Sequence, residues 1–189
     1  MASTVGIVNA ALIKLGEATI TSLSEGAKPA RLAHAVFDEL RDAVIQAHPW
    51  NFAIDRAELA AGAMAPVWGY ANAYPLPASP DYCLRVLRLE DGEAEWKVEG
   101  RRILTDAGAP LRILYLRRVT DPNEFSALFR EALAARLAAE LAEPLKQSSS
   151  MAEAMRLLYE RKLAEARTAD AQEGTPDVIE AQEWLLARV

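Results

Sequence analysis

Apolar residues recur at spacings of three and four over Val5, Val8, Leu12 and Leu15, which predicts a short amphipathic helix capped by Ser3 or Thr4 and stopped at Gly16. Beyond the polar stretch from Thr19 to Gly26, Pro29 fits a first helical turn. Leu32, Val36, Leu40 and Val44 then form one stripe with Phe37 beside it, a longer helix that ends at His48-Pro49.

From Trp50 to Arg118 the helical period disappears. Prolines and interleaved aromatics bound apolar runs too short for helices, so the pattern predicts a β-rich middle with strands at Phe52–Leu59, Leu84–Leu89, Ala94–Val98, Arg102–Thr105 and Leu111–Arg117. Asp91-Gly92 and Glu99-Gly100 are turn signals. The last strand alternates: Leu111, Ile113 and Tyr115 face one way and Arg112, Leu114 and Leu116 the other, so both faces are expected to be covered over part of its length.

The helical period returns after Asp121-Pro122-Asn123-Glu124, which has the chemistry of a helix start. It predicts a helix through Phe125, Leu128, Phe129, Leu133, Leu137 and Leu141 to Pro144. Ser150 with Glu153 suggests a capping box for a second helix, antiparallel to the first across Pro144–Ser149. A terminal segment follows Gly174, with Val178, Ala181, Leu185 and Val189 on one face, widened by Ile179, Trp184 and Leu186. The expected architecture is α+β: a helical bundle from the N- and C-terminal helices with a β-rich central insertion. Its parts are N-terminal helices over 1–50, a β-rich region over 51–120, a helical hairpin over 121–173 and a tail over 174–189.

Length and charge narrow what such a chain does. At 189 residues it is expected to fold as one domain, and 21 Lys+Arg against 27 Asp+Glu leave a formal charge of -6, which argues against a general grip on nucleic acid. No apolar run approaches the ~18 residues of a membrane span, and the N-terminus lacks signal-peptide character, so a protein made and kept in the cytosol is expected. Alanine is about one residue in five. Small side chains let helices approach closely but bury little area each, which suggests stabilisation by a partner.

The catalytic inventory is thin. His34 and His48 lie at no helical spacing from a second metal ligand, no phosphate-binding glycine loop or nucleophile elbow is present, and the lone Cys83 reads as a buried thiol. No catalytic, metal or cofactor site is expected. Arg101-Arg102 and Arg117-Arg118 could contact phosphate, although salt bridges between protein surfaces suit the acidic whole better. Trp50, Phe52, Trp68, Tyr70 and Tyr74 could stack on bases, but a rigid aromatic core is the stronger reading because no basic residue interrupts Val67 to Leu84.

The run Asn9-Ala10-Ala11-Leu12-Ile13-Lys14-Leu15-Gly16, the element His48-Pro49-Trp50-Asn51-Phe52-Ala53, and the later Tyr70-Ala71-Asn72-Ala73-Tyr74-Pro75-Leu76-Pro77 and Leu84-Arg85-Val86 resemble, in this order, the tail tubular protein A family of short-tailed phages. The resemblance covers about the first 120 residues. It implies a structural head-to-tail adaptor of the virion neck, assembled in the host cytoplasm as a ring of twelve copies, with no reaction and no cofactor. The partners it implies are the portal protein on one side and the downstream tail or nozzle protein on the other, with DNA passing through the channel without specific binding. In that setting the tail residues Val178, Ile179, Trp184, Leu185 and Leu186 would dock on portal. Asp91, Arg101, Arg102, Arg117 and Arg118 would make distal or inter-subunit contacts. The alternative is a helical binding or regulatory module with a small β-rich recognition domain.

Overall fold

The computed structural model describes residues 1–173. The chain runs through α1 (Thr4–Lys14), α2 (Lys28–Gln46), β1 (Ile54–Leu59), β2 (Asn72–Pro75), β3 (Cys83–Leu89), β4 (Trp96–Glu99), β5 (Arg102–Thr105), β6 (Leu111–Arg117), α3 (Ala127–Lys146) and α4 (Ser149–Ala171). The fold is α+β: helices from both ends of the described chain share one core, and the strands between them form two antiparallel three-stranded sheets, β1-β6-β3 and β2-β5-β4. The proposed docking residues Val178, Ile179, Trp184, Leu185 and Leu186 lie outside the described residues. Among the described residues, no helix is long and apolar enough to cross a membrane.

The first two helices form where the apolar period and caps place them. Ser3 Oγ accepts from the Gly6 amide at 3.0 Å, and Pro29 occupies the first turn of α2. The C-terminal pair differs in its boundaries. Asp121 does not cap α3; its carboxylate accepts from the Asn123 amide at 2.9 Å, closing a local turn, and Ser126 caps the helix by accepting from Phe129 at 3.2 Å. Pro144 does not end α3 either. It sits in the last turn, and the helix closes at Gln147, whose left-handed backbone (φ 52°) directs its N–H to the Glu143 carbonyl at 2.8 Å. That reversal makes Ser148 the cap of α4, accepting from Met151, while Glu153 pairs with Arg156 instead of completing a box at Ser150.

Phe37, Val44, Trp50, Phe129, Leu133 and Leu137 fill the main core, and Ala11, Ala30, Ala33, Ala134, Ala138 and Ala142 are buried between them. The alanine excess is thus used where helices meet at close range. One end of the first sheet joins this core through Ile54, Leu84, Leu87 and Leu116. Its other face forms a second core in which Leu111, Ile113 and Tyr115 of β6 and Cys83 and Leu89 of β3 meet Tyr74 of β2 and Ile103 of β5. The order of layers is therefore helices, first sheet, second sheet, and the central strand β6 is covered on both faces over part of its length, with Arg112 left exposed.

Strand boundaries shift modestly from the sequence expectation. A single 3-10 turn over Asn51–Ala53 precedes β1, and β4 begins at Trp96, two residues later than expected. The strand β2 lies within the proline-rich stretch read as loops. It pairs with β5 with Tyr74 opposite Ile103, at a sheet edge where Pro75 needs no ladder hydrogen bond on its open side. Gly100 (φ 53°) and Arg101 (φ 61°) form the two-residue left-handed turn between β4 and β5. Two register irregularities in β3 precede exposed Arg85 and Arg88, a bulged and charged edge that resists further strand pairing.

Candidate functional site

The His48–Ala53 element forms the joint between the helices and the first sheet. Pro49 ends the α2 trajectory, and Trp50 turns inward, fully buried, with its indole N–H donating to the Val44 carbonyl at 2.9 Å. Trp50 and Phe52 pack against Phe129 with ring centroids 5.0 and 4.9 Å away, and Phe125 completes the cluster. The last turn of α4 clamps this joint. Asp170, almost fully buried, accepts from the Asn51 amide at 3.1 Å and lies 3.2 Å from His48 Nε2, while Asn51 Nδ2 donates to the Asp170 carbonyl at 2.7 Å. Arg167 adds a bond to the Ala47 carbonyl at 2.8 Å. Burial holds the His48 pKa below its usual range; the Asp170 carboxylate opposes this shift, and the Arg167 and Arg85 charges add to it.

Three of the four paired arginines are engaged within the chain. The Arg101 guanidinium donates to the Cys83 and Pro77 carbonyls at 3.3 and 3.0 Å and lies 3.9 Å above the Tyr82 ring. Arg118 lies 4.2 Å from the same ring and donates to Asp42 at 2.7 Å; Asp42 also accepts from the buried Arg41. Arg117 pairs with Glu124. These contacts tie α2, the segment before β3 and the turn after β6 into one network. Arg102 is exposed on the outer face of the second sheet, and Asp91 is exposed with its carboxylate accepting from Glu93 at 3.0 Å.

The five aromatics do not form one cluster. Trp50 and Phe52 belong to the helical core, whereas Tyr74 is buried between the sheets with its hydroxyl donating to the Ala107 carbonyl at 2.8 Å. Tyr70 is half-buried, and Trp68 is 85% exposed on the loop from β1 to β2. The physical reason is position: residues 60–71 cross the outer face of the second sheet, outside both cores. The feet of this loop are tied by Gly62 N–H to the Ala73 carbonyl and by Ala71 N–H to Asp106, each at 2.7 Å. Between loop and sheet lies a recess of about 1010 Å³ lined by Trp68, Tyr70, Lys97, Glu99, Arg102 and Leu104, among others.

The chemistry of the remaining candidates is quiet. Burial pushes the Cys83 thiol up to about 11, against the partly compensating charge of Arg101, so it is not poised as a nucleophile. His34 is exposed on α2. Among the described residues, no three His, Cys, Asp or Glu side chains come together as a metal-binding group. Sequence reasoning missed Asp170 because its partners lie 119 and 122 residues away, beyond any local period. It also missed the exposed loop, although the signal was present: no charged residue stands between Glu58 and Asp81. No family model matches the chain, and no curated protein matches it.

Proposed function

We propose that the chain is a structural subunit of a phage or phage-like particle: a head-to-tail adaptor that assembles as a ring between portal and tail and extends the DNA channel. The observation that carries this reading is the His48–Ala53 element. The most specific part of the resemblance to the tail tubular protein A family is also the mechanical joint of this fold, with Trp50 anchored in the core and Asn51 held by Asp170. A rigid joint between a helical layer and a projecting pair of sheets suits a subunit that must transmit geometry from one partner to the next.

The remaining features support the same assignment. A net charge of -6 suits a channel wall past which DNA slides without being held. The apolar tail, with Val178, Ile179, Trp184, Leu185 and Leu186, docks on portal as an apolar anchor. Distal contacts fall to Arg102 and the Asp91 turn, since Arg101, Arg117 and Arg118 are occupied within the chain.

The test is a binding assay with purified portal from the same particle. Full-length chain attaches and a chain ending at residue 177 does not. Unchanged attachment of the truncated chain would remove the docking role of the tail, and failure of the full chain to attach in any oligomeric state would remove the adaptor reading. One observation favours a second reading, a binding module: the recess of about 1010 Å³ on the second sheet is large enough for a ligand. Saturable small-ligand binding abolished by Leu104→Trp, in a chain that never meets portal, is the result that reading requires.

A further inference from the structure

The two sheets leave one side of their shared core open. Strand β3 ends the order of the first sheet and β4 ends that of the second, and among the described residues no strand bridges them. Between these edges lies a recess of about 510 Å³ with an apolar floor: Leu76, Leu84, Val86 and Trp96 are half-buried there, and Val98 is 43% exposed. Its rim is basic. Arg85, Lys97 and Arg101 line it and no carboxylate does, in contrast to the recess under the Trp68 loop, which carries Glu95, Glu99 and Asp106. Lys97 is paired with Glu99. Arg101 gives two of its five N–H donors to the carbonyls of Cys83 and Pro77, which leaves its charge without a counterion, and Arg85 is exposed with no ion pair among the described residues.

An occupant of this cleft must therefore bring apolar side chains and negative charge together. The chain has such a segment. Asp177-Val178-Ile179-Glu180 sets two apolar residues between two acids, and residues 174–189 as a whole carry Asp177, Glu180 and Glu183 against Arg188. The tail also departs beside the cleft. Arg167 on the Ala47 carbonyl and Asp170 on Asn51 fix the last turn of α4 to the end of α2, where the neighbouring Gln46 donates at 3.4 Å to the carbonyl of Leu84, a residue of the recess. Five residues beyond Glu173 span up to ~17 Å, and a tethered segment meets a nearby site at high effective concentration. The uncharged Trp68 loop of a second copy is a poorer match, because covering Arg85 with it would desolvate that charge without pairing it.

We infer that residues 177–180 dock in the cleft between β3 and β4 of their own chain, with Val178 and Ile179 on the apolar floor and the flanking carboxylates on Arg85 and the Arg101 side of the rim. The two irregularities in β3 break the ladder at this edge, so side chains and not strand addition hold the segment. The contact belongs to the free chain and does not rest on the adaptor reading. Within that reading portal competes for Val178 and Ile179, while Trp184, Leu185 and Leu186 stay available to it.

The experiment is disulfide trapping in the purified full chain without portal. Val98→Cys places a thiol on the rim and Ile179→Cys places one on the tail; oxidation with copper phenanthroline is followed by non-reducing gels and peptide mass spectrometry. The expected result is an intrachain bridge from position 179 to position 98, or to Cys83, which also lines the recess. It forms at least tenfold faster than the bridge between Ile179→Cys and Leu157→Cys, a control position 52% exposed on α4. Adding Arg85→Glu slows the bridge at least fivefold, and Asp177→Arg with Glu180→Arg restores it on that background, a rescue that general destabilisation does not give. Bridging no faster than in the control overturns the inference, as does a rate indifferent to Arg85→Glu. Bridging found only between two chains also overturns it, by giving the cleft to the tail of a second copy. No readout here involves portal, so failure of the adaptor reading in the portal-binding assay and failure of this inference are told apart.

Discussion

Asp170 and His48 stand 122 residues apart along the chain and 3.2 Å apart in the fold, and their meeting fixes where the last helix lies. Asp170→Ala strands the Asn51 amide and frees the end of α4, so chemical denaturation should show a loss of about 2–3 kcal/mol. His48 gives a pH signature. Its folded pKa is lowered, chiefly by burial, so the unfolded chain binds the proton more readily. The stability from keeping the ring neutral is complete above the ordinary value of 6.5 and declines as pH falls below it toward the folded value. Denaturation midpoints measured between pH 8 and 5 should show that decline in the wild type and a flatter profile in His48→Gln. Cys83, with its thiol at about 11, should resist iodoacetamide in the native state and react on unfolding. At this scale the sequence was partly legible. The buried thiol and core Trp50 follow from residue type and neighbours, whereas Asp170 and the inward-turned arginines depend on partners brought together only by the fold. Trp68 shows the opposite failure: its type suggested a core, but its loop lies outside both cores.

The helices were legible as elements because a 3.6-residue period survives errors at their ends. The ends themselves depended on competition between neighbouring caps. Asp121 satisfies its own turn, and Ser126 opens α3. Ser126→Ala should therefore cost about 1 kcal/mol in thermal or denaturant unfolding, while Asp121→Ala leaves the start of α3 unchanged. Gln147 is a second boundary residue that local reading missed, and its left-handed backbone is costly for any side chain. Gln147→Gly should raise stability by about 0.5–1 kcal/mol, after allowing for the added freedom of the unfolded chain. Among the strands, β6 was legible as two-faced because its alternation matches two different cores. The strand β2 was not legible: its prolines argue for a loop unless the segment is known to be an edge, and that knowledge comes from its pairing with β5.

The whole molecule is built in three layers. The helices and the first sheet share a core at the Trp50 joint, the second sheet closes the opposite face, and the Trp68 loop projects beyond it. Composition foretold the style of this packing, since buried alanines sit where helices meet, but it could not specify the layer order, which depends on pairing across the middle of the chain. In the adaptor proposal the apolar tail holds portal, and the exposed Arg102 and Asp91 contribute to distal contacts. The most direct test is cryo-electron microscopy of particles from cells producing the full-length chain, with this fold fitted into the density between capsid and tail. The account predicts a closed ring of these subunits on the channel axis, in contact with portal. Density at that position that this fold does not fit, or particles that assemble and eject DNA normally without the chain, would contradict it.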